Sequence, residues 1–326
     1  MGFKSLNKNE SYYNFFGASG LDAVNLHPYY LSWTGNRGVW QGGRTGSSYT
    51  DTIDYVDIPT PGDATDFGNL TDSRAYTASC SSGSRGVCMG GYDGSYKNVI
   101  DYITIATAGD STDFGNLTDD FGTSAGCSDG SRGLNGGGED SSNRTNVIAY
   151  ITIASTGDAQ DFGDLQAARY GLGSCASKTR GLWGGGNTAS STNVDTIGYV
   201  TIQTTGNATD FGNLTEAREY VSACSGLTRG VFGGGYKYSG STNTNVMDYI
   251  TMASTGNATD FGDLSVTRRA TGACSDKIGG RGCWGGGYNS GDSNVVDYID
   301  INTPGNATDF GNLTRSEQLV SGCSGD

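Results

Sequence analysis

The 326-residue chain contains a single histidine, His27, four prolines, and charged residues at only 17% of positions. One histidine excludes a metal centre built on several imidazole ligands, and any nucleophile–histidine site would rest on His27 alone. Lysine and arginine number 20 against 34 acidic residues, giving a net charge of −14. The cations are scattered, so the basic clusters that grip nucleic-acid phosphates are missing. No apolar run approaches the ~20 residues of a membrane helix. The N-terminus, MGFKSLNKNE, lacks the apolar core of a secretory signal, and Leu6 stands where a myristoylation signal takes Ser or Thr. The expectation is a soluble protein of a reducing cytoplasm, with no nucleic-acid partner, no membrane insertion, no cofactor and no metal. Its eight cysteines then need a reading other than a disulfide framework.

What is abundant is glycine, with 55 residues, and tyrosine, with 19. Glycine without a three-residue period excludes collagen, and plentiful Ile, Val, Tyr and Thr argue against disorder. Those are strand residues, with glycine at the turns between them, so the chain reads as all-β.

Self-similarity then fixes the organisation. Asp-Phe-Gly begins at Asp66, Asp113, Asp161, Asp210, Asp260 and Asp309, at spacings of 47, 48, 49, 50 and 49. Arg-Gly begins at Arg37, Arg85, Arg132, Arg180, Arg229 and Arg281. Cysteine recurs at 80, 127, 175, 224, 274 and 323, and tyrosine at 55, 102, 150, 199, 249 and 298. In the fifth unit four strands are expected: Tyr220–Cys224, Arg229–Phe232, Asn245–Met252 and one around Ala258–Leu264. A run such as Val99–Ile105 is too apolar for a sheet with one wet face, so both faces should be covered. Four strands in about fifty residues, repeated six times, predict a six-bladed β-propeller over residues 37–326. A non-repeating, aromatic-rich arm, residues 1–36, precedes it.

The unit resembles kelch-type propeller repeats. It has an arginine before a small first strand (Arg74, Arg169, Arg218), an apolar stretch ending in glycines (Val231–Gly235), and an Asp-Tyr strand (Asp248-Tyr249). It departs from them where Asp-Phe-Gly replaces the usual tryptophan. The longer phrase Asn245–Leu264 is similar to repeats of kelch-like proteins of marine bacteriophages, cyanophages especially. That resemblance covers residues 37–324 and implies a virion structural protein, assembled in the host cytoplasm, of a capsid decoration, tail, baseplate or fibre.

Ring closure has two readings. Either the C-terminal strand Gln318–Cys323 completes the blade begun at residues 37–70, or Tyr30–Trp33 does. Cys323 keeps the repeat marker and Trp33 does not, which favours the first. The arm carries Tyr12, Tyr13, Phe15, Phe16, Tyr29 and Tyr30, too many aromatics for a solvated tail. It either packs on the propeller or docks onto other virion proteins.

The repeated residues are poor candidates for chemistry. Asp-Phe-Gly lacks the rest of a kinase's motifs, and six copies around a ring cannot share one active site. The expectation is that the recurring Arg and Asp tie strands or blades together. The six first-strand cysteines should be small, buried fillers. Cys88 near Cys80 and Cys283 near Cys274 leave a cross-strand disulfide open in each hairpin. Candidate binding contacts lie instead in the loops between second and third strands, which vary from 6 to 9 residues and gather on one face. They contribute Tyr49, Tyr92, Tyr96, Tyr236, Tyr238 and Tyr288, chemistry suited to adaptable recognition. These loops either bind a host receptor or glycan, or are merely solvated surface. A glycan-active enzyme using carboxylates is a third reading, but no acidic residue outside the repeat framework stands out.

Overall fold

An apolar strand stable in water needs a neighbour on each face, and here the neighbouring sheets provide it. A computed structural model describes residues 35–188, 192–276, 278 and 280–326. The arm residues Tyr12, Tyr13, Phe15, Phe16, Tyr29 and Tyr30, and the alternative first strand Tyr30–Trp33, lie outside the described residues. Every element assigned within them is a β-strand, and six sheets are four-stranded and antiparallel. The architecture is all-β and propeller-like.

Sheet II comprises Ala78–Ser81, Arg85–Tyr92, Tyr96–Thr104 and Thr112–Asn116. Sheet III comprises Ala125–Ser128, Arg132–Gly136, Val147–Thr152 and Gln160–Asp164. Sheet IV comprises Gly173–Ala176, Arg180–Gly184, Thr196–Thr201 and Thr209–Asn213. Sheet V comprises Ser222–Ser225, Arg229–Gly233, Val246–Thr251 and Thr259–Asp263. Sheet VI comprises Gly272–Asp276, Arg281–Gly285, Ser293–Asp300 and Thr308–Glu317. Sheet I takes its last three strands, Arg37–Thr45, Ser48–Asp57 and Thr65–Asn69, from the start of the repeat region. Its first, Ser321–Gly325, comes from the other end of the chain and pairs with Arg37–Gln41, placing Cys323 opposite Val39.

Six core clusters are each shared by two successive sheets, and one of them joins sheet VI to sheet I. Each fully buried large apolar side chain in them contributes about 1.5–3 kcal/mol. The close approach is keyed by size. Trp183, Phe232, Trp284 and Trp40 each pack where the preceding sheet has glycine: Gly136, Gly184, Gly233 and Gly285. Where the second strand carries the smaller Cys88 or Asn135 at that place, the preceding sheet carries Gln41 or Met89 instead.

The recurring motifs are parts of this packing. In Asp-Phe-Gly the phenylalanine is the extra residue of a β-bulge: Asp54 faces Asp66 and Ile53 faces Gly68, leaving Phe67 without a partner, and all six repeats share the shift. Its ring turns inward, edge-on to the repeat tyrosine at 5.8–6.0 Å. The glycine (Gly68, φ 148) lies against the backbone of Gly109 in the next sheet's loop, where no side chain fits. The Arg-Gly arginine stacks on the tyrosine at 4.4–4.6 Å. It also donates to a carbonyl of the following sheet at 2.7–3.3 Å, from Arg37 to Ile105 through Arg281 to Ile58. The arginine therefore ties the sheets as expected. The motif aspartate does not: it is exposed in all six repeats. That tie is made by the Asp or Asn of the loop between third and fourth strands. Asp110, for example, accepts the Asn69 backbone N–H at 2.9 Å, and Asp63 accepts that of Asn312 at 3.0 Å.

All eight cysteines are buried, and none is in a disulfide. Cys274 does face Cys283, but Cys80 faces Val87. Each first-strand sulfur packs against the Arg-Gly glycine of the following sheet, for example Cys80 on Gly133 and Cys323 on Gly86.

Candidate recognition face

With the repeated residues committed to packing, the side chains free for other work lie at the ends of the strands. The fifth unit's first strand begins at Ser222 rather than Tyr220, because Tyr220 is left-handed (φ 52) and cannot extend a ladder. The same place in the other repeats holds Tyr76, Thr123, Gly171, Ala270 and Leu319, with φ between 55 and 65. Their backbones are joined in sequence. Thr123 donates to Tyr76 at 2.8 Å, Gly171 to Thr123 at 3.0 Å, Ala270 to Tyr220 at 3.1 Å, Leu319 to Ala270 at 2.8 Å and Tyr76 to Leu319 at 3.1 Å. At the remaining step Val221 donates to Gly171 at 3.4 Å. Left-handed tyrosine, threonine and leucine persist only where their surroundings over-determine them, and this circle of hydrogen bonds does so.

The circle rims a well of about 640 Å³, counting its open mouth, lined by residues of all six first strands. Beside it lies a second opening of about 520 Å³, lined by Arg44, Tyr76, Tyr220, Arg269, Ala270, Tyr288, Gln318 and Leu319. Tyr76, Tyr220, Ala270 and Leu319 line both.

The tyrosines expected as contacts are partly brought together here. Tyr92 stands at 5.8 Å from Tyr49, 4.9 Å from Tyr96 and 6.3 Å from Tyr76, ring centre to ring centre. Tyr236 and Tyr238 form a separate pair at 6.3 Å, with Tyr238 exposed. Arg269 lies over both Tyr236 and Tyr288, at 4.5 and 5.1 Å, and so links two of the expected loops. Sequence reasoning missed Tyr76, Tyr170, Tyr220, Arg44, Arg144 and Arg269. The available signal was the variable pair of residues that follows the place of Arg74, Arg169, Arg218 and Arg268 before each first strand, such as Tyr170-Gly171 and Glu219-Tyr220.

Burial raises the hydroxyls of Tyr76, Tyr96, Tyr170 and Tyr220 above the usual tyrosine range, so they remain protonated donors. Burial also raises Glu219, against the pull of hydrogen bonds and of nearby Arg269 and Arg144. The most perturbed carboxyl lies elsewhere: burial and neighbouring Asp54 push Glu317 up to about 8. Glu317 and Asp54 are each 1% exposed and line neither opening. Among the described residues no group of three or more His, Cys, Asp or Glu is placed to hold a metal. No protein-family model matches the chain, and no curated protein matches it.

Proposed function

We propose that the chain is a six-bladed, kelch-like propeller, closed by its C-terminal strand, that serves as a rigid recognition module without catalysis. The observation that carries this reading is the division of labour between residues. The arginines, phenylalanines, glycines and cysteines that repeat are used up in packing, while tyrosines and arginines that do not repeat converge on one rim. The pairing of Ser321–Gly325 with Arg37 onward, and the shared core of sheets VI and I, support closure. Closure would remove the open edge that otherwise recruits other chains.

The likeness of the repeat to those of marine phages supports a setting in the virion, as a decoration, tail, baseplate or fibre component. The aromatic arm would then dock onto other virion proteins, and the tyrosine-rich rim would meet a host receptor or glycan. Rigid aromatic side chains give contact area at low entropic cost, which favours that second use of the rim.

Replacing Tyr236 and Tyr238 together with alanine should weaken attachment to host cells while leaving the fold's circular dichroism intact. Unchanged attachment would remove the rim from the reading. Deleting residues 1–30 should abolish incorporation into particles, and a truncated protein still incorporated would remove the arm.

A further inference from the structure

The opening beside the well has a composition unlike the rest of this acidic chain. Its lining contains two arginines, Arg44 and Arg269, and no carboxylate. Neither arginine forms an ion pair among the described residues. The Nε of Arg44 is buried and has no hydrogen-bond partner. Such a donor is costly to leave unsatisfied, by more than an ordinary hydrogen bond is worth. Carboxylates stand behind the lining rather than in it: Glu219 lies near Arg269, Glu139 near Tyr76, and Asp292 accepts from the Gln318 amide at 2.9 Å.

Three tyrosines, Tyr76, Tyr220 and Tyr288, complete this lining. Each carries an aromatic ring and a hydroxyl. The adjoining well is lined by Thr77, Ser124, Ser174, Ser222, Thr271 and Ser321. Most of these hydroxyls satisfy one another, as Thr77 and Ser321 do at 2.8 Å. The Ser124 Oγ is buried out of reach of the well, whereas Ser174 is half-buried and its Oγ, donating to the Gly126 carbonyl at 2.8 Å, keeps its acceptor lone pairs. Arginines, tyrosine rings and an adjoining well lined by hydroxyls match a ligand with one anionic group, an apolar ring face and several hydroxyls.

We infer that this opening binds a carboxylated sugar residue of a surface polysaccharide, with Arg44 and Arg269 taking the carboxylate and Tyr220 or Tyr76 packing on the ring. Arginine presents a planar fork of donors that fits a carboxylate in two-point contact. The sugar's C–H face suits an aromatic ring, and its remaining hydroxyls reach toward Ser174 and the other hydroxyls of the well. An acidic peptide would satisfy the arginines but leave the hydroxylated well without a use. The inference rests on the recognition reading above and names its ligand class.

The test measures binding of the full chain to alginate oligosaccharides, to neutral cello-oligosaccharides of equal length and to an oligoglutamate peptide, by titration calorimetry at low salt. The expected result is binding of the alginate oligomer alone, weakened roughly tenfold or more by Arg44→Gln with Arg269→Gln, since each loses a charge-assisted hydrogen bond. Ser174→Ala, which leaves both arginines in place, should weaken binding by a smaller factor and shows that the well takes part. Alginate binding untouched by all three substitutions would overturn the site. Equal binding of the neutral oligomer, or binding of the peptide instead, would overturn the ligand class. If no alginate binds while Tyr236→Ala with Tyr238→Ala still abolishes cell attachment, this inference fails and the recognition reading stands.

Discussion

Replacing Glu317 with glutamine should make the protein more stable at alkaline pH and change little at acidic pH. Six residues before the repeat cysteine, sheets II, V and VI have Arg74, Arg218 and Arg268, paired with Asp101, Asp248 and Asp297 at 2.9, 2.8 and 2.7 Å with both partners fully buried. In sheet I that place is Glu317, and the aspartate place is Asp54, so two carboxyls meet where an ion pair belongs. Asp54 is held by Thr314 through its N–H at 2.9 Å and its hydroxyl at 2.8 Å. Glu317 has the Thr50 hydroxyl at 3.3 Å. Burial first, and Asp54 second, move its carboxyl from 4.5 up to about 8. The folded state therefore binds a proton that the unfolded chain has already lost, and stability falls as pH rises through that window. At about 1.4 kcal/mol for each tenfold in proton affinity, the loss is at most about 5 kcal/mol, and relaxation of the site lowers it to roughly 2–4. Denaturant unfolding of wild type and Glu317→Gln from about pH 5 to about pH 9 measures it as a difference, which cancels other titrating groups such as Asp276. Glu317→Arg, recreating the pair of sheets II, V and VI, should gain at least as much at the alkaline end. Parallel loss of stability in wild type and Glu317→Gln would refute the reasoning.

Other expectations follow from the packing between sheets. A methyl group at Gly230 would be driven into the Cys175 sulfur, with every other neighbour at ordinary contact distance. Gly230→Ala should therefore cost about 1–3 kcal/mol, and Cys175→Ala in the same chain should recover most of it. Thermal unfolding of the single and double variants checks this, and failure of the second substitution to recover stability would refute the contact. Burial raises the thiols of Cys80, Cys224 and Cys274 well above the usual range and that of Cys323 to about 12. A thiol reagent at about pH 8 should thus find none of these in the native protein, because the thiolate is the reactive form. In denaturant it should find all eight cysteines, and fewer would reveal a disulfide.

The sheets were legible because they are written six times. A strand that reads ambiguously once, such as Val147–Thr152, is placed by five copies in register with it. The roles of the marker residues were only half legible. That Arg37 and its equivalents tie neighbouring sheets follows from their recurrence, but the aspartate of Asp-Phe-Gly seemed equally suited and is exposed. What hid this is the bulge: with Phe67 looped out, the ladder resumes one residue on, and the tie passes to Asp63 and Asp110 in the loops. The rim was less legible still. The loops supplied Tyr92, Tyr236 and Tyr288, but Tyr76 and Tyr220 sit inside what reads as the first strand. Nothing in Tyr220–Cys224 announces a left-handed residue, since tyrosine is a strand former and the conformation is imposed by a hydrogen-bond circle running through distant repeats.

The order of the sheets is itself encoded, by a rule that becomes visible only once the facing partners are known. Along the second strands the chain reads Trp40-Gln41, Cys88-Met89, Asn135-Gly136, Trp183-Gly184, Phe232-Gly233 and Trp284-Gly285. At two places Gln41 precedes Cys88 and Met89 precedes Asn135 in the order of the sheets, and the other four second residues are glycines that meet the aromatic of the next pair. The last of these, Gly285 against Trp40, joins the two ends of the repeat region. Gly285 is the only one of these four glycines whose facing partner precedes it in the chain. A glycine there would leave a cavity unless an aromatic filled it, and Trp40 would overlap Gln41 or Met89, so it can follow only a sheet that presents glycine. Similar repeats risk pairing out of turn, and mismatched volumes penalise each wrong neighbour by the cost of a void or an overlap. The tryptophan indole adds direction, as Trp40 Nε1 donates to the Gly272 carbonyl at 3.0 Å and Trp183 Nε1 to that of Ala125 at 3.0 Å. Volume matching thereby restricts which repeats can be neighbours, in keeping with the contacts at the rim, where Arg44 pairs with Gln318 and Arg269 lies over Tyr288.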